Sequence, residues 1–276
     1  MDLGRLFELV PHGPDTFVGA GLLYPWGGLY GGHIVAQALR AAAETVDAEM
    51  DAHSLRAYFI RRGDASEPVR YEVDRIRNGR SFCTRRVVAR QAIGAVLNLE
   101  ASFQRIEPGV EVAPLQPPPD LPPPDGLPSD PWSPAFDRRW PPLAPGERDG
   151  RDGRGRVVAW MRVNDEIGDD RLLQQCALAY LSDDLPTDAV VRAHPELRHR
   201  GEDGSERNLF SASLDHAIWF HATPRVDEWH LHDFSCHRFV GSRGLAIGHI
   251  FDVDGVHVAT VAQEVLVRDL LSKDQP

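Results

Sequence analysis

The sequence predicts an α+β fold in which two antiparallel sheets each wrap a long helix and are joined into one continuous sheet. The main observation is an internal repeat, because Ser54-Leu55 matches Ser213-Leu214 and Gln104 matches Gln263, both at a spacing of 159 residues. Each copy is preceded by a short helical segment and consists of apolar, strand-like stretches separated by polar turns. Two copies of one helix-and-sheet unit predict a single pseudo-symmetric fold.

The first unit begins with a helix that follows a glycine-rich turn at residues 27–32. Apolar residues recur there at helical spacing, at Ile34, Val35, Ala38, Leu39, Ala42 and Val46. Strands follow from about His53, and Tyr71–Ile76 alternates before the Asn78-Gly79 turn. Consecutive strands joined by short turns form an antiparallel sheet. A buried helix against such a sheet is the arrangement called a hotdog, and the repeat makes it a double hotdog.

A proline-rich segment separates the two units. Residues 107–150 hold 14 of the 22 prolines, and proline disrupts both helix interiors and sheet ladders. We therefore predict an N-terminal hotdog at residues 1–106, a linker at 107–150 and a C-terminal hotdog at 151–276. The linker is expected to cross the surface as an extended connection, held in place by Trp132, Phe136 and Trp140.

The second unit repeats the pattern with an insertion. Val157–Val163 reads as a strand, and Asp170–Ser182 reads as the second helix, capped by Asp169 or Asp170. A charged insertion occupies residues 183–208, and strands return from Phe210 to Arg268.

Composition excludes several classes of function. The net charge of -11 argues against nucleic acid as the main partner. The N-terminus lacks the pattern of a signal peptide, and no stretch approaches the ~18 consecutive apolar residues of a membrane helix. The three cysteines contain no CxxC pair, so we expect a cytoplasmic location without disulfides, and no membrane partner.

Asp215 is the first candidate for chemistry. The two copies differ at the residue after Ser-Leu, where the first has Arg56 and the second has Asp215. A carboxylate at a strand edge, flanked by His216 and Trp219, is suited to act as a general base or to orient a water molecule. The alternative is an ordinary turn or capping aspartate, but the contrast with Arg56 favours a functional role.

Gln263 is the second candidate, because an amide can donate to an oxyanion and also hold a water molecule. Gln104 occupies the same position in the first copy, which favours a structural amide instead. The sequence contains no GxSxG elbow, P-loop or GxGxxG motif, so any hydrolysis is expected to use activated water rather than a covalent serine.

The sequence allows two interpretations of the clustered histidines and two of the arginines in the first repeat. Five histidines lie within 22 residues, and His230 and His232 share a strand face, so we considered a zinc site. The spacing matches no established ligand pattern, and histidines on a half-exposed sheet are the favoured interpretation; no cofactor is expected. The arginines of the first repeat, such as Arg61 and Arg62, either face a nucleotide phosphate or belong to a solvated face balanced by acids.

Several segments resemble the acyl-CoA thioesterase II family of the TesB type, a double hotdog. The segments that carry the resemblance are Tyr30–Leu39, His53–Asp64, Asn78–Phe82, Arg85–Val87, Ala101–Gln104, Ser213–His221, Asp227–Trp229, Ser242–Ala246 and Val261–Glu264. They cover both repeats. The resemblance implies a hydrolase of fatty acyl-CoA in fatty acid metabolism, an acyl-CoA substrate and a homo-oligomer.

In that family an aspartate, a threonine and a glutamine orient water on the thioester carbonyl. The resemblance places the aspartate at Asp215, the glutamine at Gln263 and the threonine at His237, where this chain departs from the pattern. Either His237 assists with the water, or Ser235 takes the role, or activity is weak. A second departure is His33, where the family typically has glutamine.

The expected reaction is hydrolysis of acyl-CoA to free acid and CoA by direct water attack. Asp215 is expected to activate the water, Gln263 to hold it or the oxyanion, and His237 to assist, with backbone donors at a helix N-terminus contributing. Two rivals remain: a hotdog enoyl-CoA hydratase that uses Asp215 and His221 as acid and base, and a non-catalytic acyl-CoA binder.

Overall fold

The computed structural model describes residues 3–143, 155–195 and 209–270. Its helices are α1 (Leu3–Leu6), α2 (Gly31–Ala43), α3 (Arg171–Ser182) and α4 (Leu185–Ala193). The strands of the first half are β1 (Leu9–Pro11), β2 (Thr16–Gly19), β3 (Met50–Phe59), β4 (Val69–Asn78), β5 (Phe82–Gln91) and β6 (Gly94–Arg105). The remaining strands are β7 (Phe136–Arg139), β8 (Val157–Val163), β9 (Leu209–Ser213), β10 (Asp215–Phe220), β11 (His230–Val240), β12 (Arg243–Asp252) and β13 (His257–Asp269).

All of these strands belong to one antiparallel sheet of 13 strands. The order is β1-β2-β4-β5-β6-β3-β10-β13-β12-β11-β8-β7, and β9 pairs with β13 beside β10. The order on one side of the β3–β10 junction is the mirror of the order on the other, as the sequence repeat predicts. The two halves form one continuous sheet, as predicted, because β3 and β10 pair directly and leave no edge between the halves.

The helices are distributed differently from the prediction. Helix α2 packs on β3–β6 of the first half, as expected, and also lies against α3. The second half of the sheet is contacted mainly by α4, which packs on β8, β9 and β11–β13. This helix lies in the segment predicted to be only a charged insertion; the rest of that insertion, residues 196–208, lies outside the described residues. Asp170 caps α3 as predicted, because its Oδ1 accepts from the amide of Leu173 at 3.0 Å.

The proline-rich segment is not purely an extended connection, because its residues 136–139 form β7 against β8. Its aromatic residues hold it in place as predicted: Trp132 Nε1 donates to Asp184, Phe136 is buried in the core, and the guanidinium of Arg192 lies 5.7 Å from the centre of the Trp140 ring. Part of the segment covers the face of β8 and β11 opposite to α4, where Trp160 Nε1 donates to the carbonyl of Pro122 at 3.0 Å. The bounds of the three predicted segments stay predictions.

Candidate active site

A cavity of about 1530 Å³ lies where the two halves meet. It is bounded by the N-terminus of α2, the C-terminal end of α3, β9 and the segment around residues 127–143. Lining side chains and backbone come from Tyr30, Gly31, Phe59, Trp132, Asp183 and Ser213. The cavity exceeds the ~300–1,000 Å³ of a typical small-molecule pocket, so it can hold part of a large ligand.

Two glycines allow the C-terminal end of α3 to approach the N-terminus of α2. A Cβ on Gly31 would lie 2.6 Å from Oδ2 of Asp183, and a Cβ on Gly32 would lie 2.4 Å from the carbonyl oxygen of Tyr180. A side chain at position 31 would displace the side chains of Asp183 and Phe59, and one at position 32 would require a shift of the backbone at Tyr180. Because Gly31 is the first residue of α2, its amide has no acceptor within the helix.

We expect Gly32→Ala to destabilise the protein by about 1–3 kcal/mol, because the added methyl forces the two helices apart. Gly109→Ala is the matched control, since a Cβ there meets no atom within 4 Å. Urea denaturation of both variants checks the prediction, and equal stability of the two would contradict it.

Asp183 has a buried carboxyl group that faces the cavity. Its Oδ2 accepts from the amide of Gly32 at 2.8 Å, and its Oδ1 accepts from the hydroxyl of Ser213 at 3.3 Å. Desolvation by burial raises the pKa of Asp183 to about 7, against the opposing effect of hydrogen bonds from Gln263, Gly32 and Ser213. The carboxyl therefore changes charge near neutral pH.

A chain of hydrogen bonds connects Asp183 to the interior of the second half. Gln263 Nε2 donates to Ser213 Oγ at 2.7 Å, and Gln263 Oε1 accepts from Nδ1 of His216. Ser182 Oγ lies 3.0 Å from Nε2 of His216. The neutral His216 tautomer with its proton on Nδ1 satisfies this pattern, and burial lowers the pKa of His216 to about 4. From His216 onward every link can then donate in the direction of Asp183. The single proton of Ser182 is shared between Nε2 of His216 and the carbonyl oxygen of Ala179, each at 3.0 Å.

Asp215 lies at a break in the second copy of the repeat. The first copy has the uninterrupted strand β3 here, whereas β9 ends at Ser213 and β10 begins at Asp215. Oδ1 of Asp215 accepts from the amide of Glu264 at 2.7 Å. Partial burial raises its pKa, although the Glu264 amide opposes this. The carboxyl is half-buried beside the cavity-lining residues Ser213 and Leu214.

Gln263 is fully buried, and both ends of its amide are hydrogen-bonded to neighbouring side chains. It is next to Glu264, so β13 holds Gln263 and the hydrogen-bond partner of Asp215 side by side. Its repeat equivalent Gln104 is only half-buried and lies between Asp51 and Phe82. The two copies therefore use the same residue type in different environments.

His237 is separated from the other two predicted site residues. It is exposed and lies at a bulge in β11, between Cys236, which pairs with Ala246, and Arg238. Ala246 in turn pairs with Gln263, so His237 lies about two strand spacings, roughly 10 Å, from Gln263. His221, the acid or base of the hydratase alternative, bonds to Thr260 at 2.9 Å rather than to Asp215.

The other histidines are more buried than the sequence indicated. His230 and His232 share a face of β11 as predicted, but both are buried, at 1% and 0% exposure. Burial lowers the pKa of His232 to about 3. Within residues 3–143, 155–195 and 209–270, no group of three or more His, Cys, Asp or Glu side chains is arranged to hold a metal ion.

Sequence reasoning missed Asp183, Ser182 and Ser213 as site residues. Asp183 directly follows the apolar helix, so the sequence alone indicates only that the helix ends there. Asp183 is indeed the C-cap of α3. The repeat does contain a signal for Asp183. The helices of the two copies match at an offset of 139 residues, with Gln37-Ala38-Leu39 aligned to Cys176-Ala177-Leu178. The same offset aligns Asp183 with Glu44. Glu44 is exposed and pairs with Arg40, so only the second copy buries its acid.

Comparison with known proteins places this site in a family. The N-terminal domain model of acyl-CoA thioesterases matches residues 23–104, and the C-terminal domain model matches residues 114–267. The chain belongs to the acyl-CoA thioesterase family. Human acyl-coenzyme A thioesterase 8 is 33% identical over 295 residues, an alignment that covers 95% of this chain and 88% of that protein.

Solved structures of the acyl-CoA thioesterase family agree with the fold. Acyl-CoA thioesterase II TesB2 from Mycobacterium marinum is 37% identical and superposes with a TM-score of 0.82, over 97% of this chain and 98% of that one. A hot dog fold protein of unknown function from Alicyclobacillus acidocaldarius is 21% identical, with a TM-score of 0.77 over 96% and 97% of the two chains. This last likeness supports the hotdog fold alone.

Proposed function

We propose that this chain hydrolyses acyl-CoA thioesters to the free acid and CoA by direct attack of water. The observation that carries the proposal is the asymmetry of the repeat. Asp183 lines the large cavity, and Asp215, His216 and Gln263 lie behind its lining residues Ser213 and Leu214. The equivalent residues of the first copy are Glu44, Arg56, Ala57 and Gln104. Membership of the acyl-CoA thioesterase family supplies the reaction.

Asp215 is the proposed base. One of its oxygens is occupied by the Glu264 amide, which fixes the carboxylate and leaves the other oxygen to accept a proton from water. The amide of Gly31 at the N-terminus of α2 is positioned at the cavity to stabilise the oxyanion, and the helix dipole adds to that effect. Gln263 contributes through Ser213, which it holds at the cavity wall. The assisting role of His237 stays a prediction.

Arg61 and Arg62 are the proposed contacts for the phosphates of CoA. Both line the cavity, and each donates to a backbone carbonyl: Arg61 to Ala95 at 2.8 Å and Arg62 to Trp26 at 2.8 Å. Other arginines of the first repeat are paired with acids, as the alternative of a balanced face predicted: Arg75 with Asp15, Arg86 with Asp74 and Arg90 with Glu72. Guanidinium groups suit bidentate phosphate binding.

The proposal also covers the division into hotdog units, the assembly of the chain and its location. We propose that the two mirror-related halves of the sheet are two hotdog units, each associated with its own long helix, α2 or α3, and that copies of the chain associate into a homo-oligomer. We also propose a cytoplasmic location, which the three free, buried cysteines support. No helix within the described parts of the chain is long and apolar enough to cross a membrane.

The test is release of free thiol from a panel of acyl-CoAs, from acetyl to palmitoyl. We expect Asp215→Asn to lower kcat by roughly 10²–10⁴, the usual contribution of a positioned base. Arg56→Gln, at the equivalent position of the first copy, is the matched control and is expected to retain activity. Absence of thiol release by the folded wild type would overturn the hydrolase proposal and favour the binder or the hydratase.

A further inference from the structure

The proposed reaction leaves one buried acid at the cavity unused. Asp183 is 6% exposed, lines the cavity and belongs to the second half, yet it bonds to the first half through the amide of Gly32. A carboxyl group has four lone-pair positions, and the hydrogen bonds from Gly32, Ser213 and Gln263 use three of them. The carboxyl can therefore carry a proton directed into the cavity at the fourth position while keeping these three contacts.

We propose that Asp183 is a second catalytic carboxyl, the general acid that protonates the sulfur of the departing CoA. This role rests on the proposed hydrolysis. Water adds its oxygen to the thioester carbon and gives one proton to Asp215. The tetrahedral intermediate then re-forms the carbonyl, the C–S bond breaks with its electron pair on sulfur, and Asp183 supplies the proton that completes the thiol. Asp215 releases its proton to solvent, and Asp183 is reloaded from solvent.

The surroundings of the two carboxyl groups support this division of roles. Asp215 is half-buried, whereas Asp183 is buried at the junction of α2 and α3, and burial raises the pKa of Asp183 to about 7. Two carboxyl groups held in such different environments are the usual arrangement of an acid paired with a base. The titratable groups facing Asp183 are Asp184 on the same turn and Tyr30 on α2, with His216 reached through Gln263 and Ser213.

The hydrogen-bond chain explains how the acid stays in position. His216, Gln263 and Ser213 donate one to the next in the direction of Asp183, and His216 stays neutral at working pH because burial lowers its pKa to about 4. No positive side chain in this chain of bonds holds the carboxyl permanently ionised. The group can therefore exchange its proton during each turnover.

The experiment compares wild type, Asp183→Asn and Asp183→Glu on two leaving groups. One substrate is an acyl-CoA, and the other is the same acyl group on a nitrothiophenol, whose more acidic thiol leaves without protonation. We expect Asp183→Asn to lower kcat for acyl-CoA by roughly 10²–10⁴ and for the nitrothiophenol ester by less than about tenfold. Asp183→Glu keeps an acid and is expected to recover part of the acyl-CoA rate.

The pH profile is the second readout. Because the acid form of Asp183 is needed, wild-type kcat for acyl-CoA is expected to fall as the pH rises through about 7, and this fall is expected to vanish in Asp183→Asn. Glu44→Gln, at the equivalent position of the first copy, is the control and is expected to match wild type. Equal losses on both substrates, or an unchanged alkaline fall in Asp183→Asn, would show a purely structural role and overturn the proposal.

The outcomes separate this inference from the proposed function. A wild type that releases thiol while Asp183→Asn behaves like wild type overturns the role of Asp183 alone. A folded wild type that releases no thiol from any substrate overturns both. Should Asp183→Asn fail to fold, Asp183→Glu carries the test through its pH profile, which must retain an alkaline fall at an altered pH.

Discussion

Gln263→Ala is expected to lower the free energy of unfolding by roughly 3 kcal/mol and to lower hydrolysis sharply. The substitution removes the acceptor for Nδ1 of His216 and the donor to Ser213 Oγ, both at a fully buried position. Each buried polar group left unsatisfied costs about 1–3 kcal/mol. Activity falls because Ser213 loses the partner that holds it against Asp183.

Gln104→Ala provides the matched comparison for this prediction. Gln104 has the same type and repeat position, but it is half-buried and the position equivalent to His216 is Ala57. We expect its loss to change stability by less than about 0.5 kcal/mol, as for most surface substitutions. Chemical denaturation and thiol release measured on both variants check the pair. Similar effects at the two positions would mean that the buried amide network contributes nothing particular to the second half.

Acid is expected to unfold the protein between about pH 6 and pH 4. Burial lowers the pKa of His33 to about 4, of His216 to about 4 and of His232 to about 3, from an ordinary 6.5. A lowered histidine pKa means that the unfolded chain binds protons first, so stability is complete above pH 6.5 and is lost as the pH falls. Each histidine contributes about 3 kcal/mol by linkage.

Asp183 affects the pH dependence of stability in the opposite direction to the histidines. Its pKa of about 7 means that its charge destabilises the folded state at high pH, and this cost is relieved as the pH falls through 7. The three histidines outweigh this one acid, which leaves a net loss on the order of 5 kcal/mol by pH 4. A loss of that size is comparable with the ~5–15 kcal/mol that holds a typical domain folded.

The measurement is far-UV circular dichroism along a pH titration, with His33→Gln as the matched variant. Nε2 of His33 lies 3.1 Å from the carbonyl oxygen of Leu6, and a glutamine amide can make the same contact without titrating. We expect the midpoint of acid unfolding to move to lower pH in His33→Gln. A midpoint that stays in place would show that His33 does not contribute to acid unfolding.

Much of the fold was accessible from the sequence because the repeat constrains it. The strand pattern, α2, α3 and the cap at Asp170 follow from periodicity and capping residues, and the mirrored strand order follows from the duplication. Helix α4 was missed because charges dominate its segment, although Pro186 near its start is a recognised helix-start signal. Strand β7 was missed because the surrounding prolines masked it, yet as an edge strand it needs few ladder bonds.

Only part of the candidate site could be predicted from the sequence. The Arg56–Asp215 contrast pointed to the position where the second copy breaks between β9 and β10. Which other residues belong to the candidate site depends on their burial. Burial results from tertiary packing, which the local sequence does not specify. His237 is exposed because β11 bulges there, whereas Asp183 becomes part of the site because Gly31 and Gly32 admit it to the end of α2.

The direct pairing of β3 with β10 has an evolutionary consequence. In a symmetric dimer of identical chains every substitution appears twice, so both sites must accept it. Joining the two copies in one polypeptide removes that constraint, and Arg56 and Ala57 can replace Asp and His in one copy while the other keeps them. The first half can then specialise in contributing the N-terminus of α2 to the candidate site of the second half. Deleting either half would remove that site.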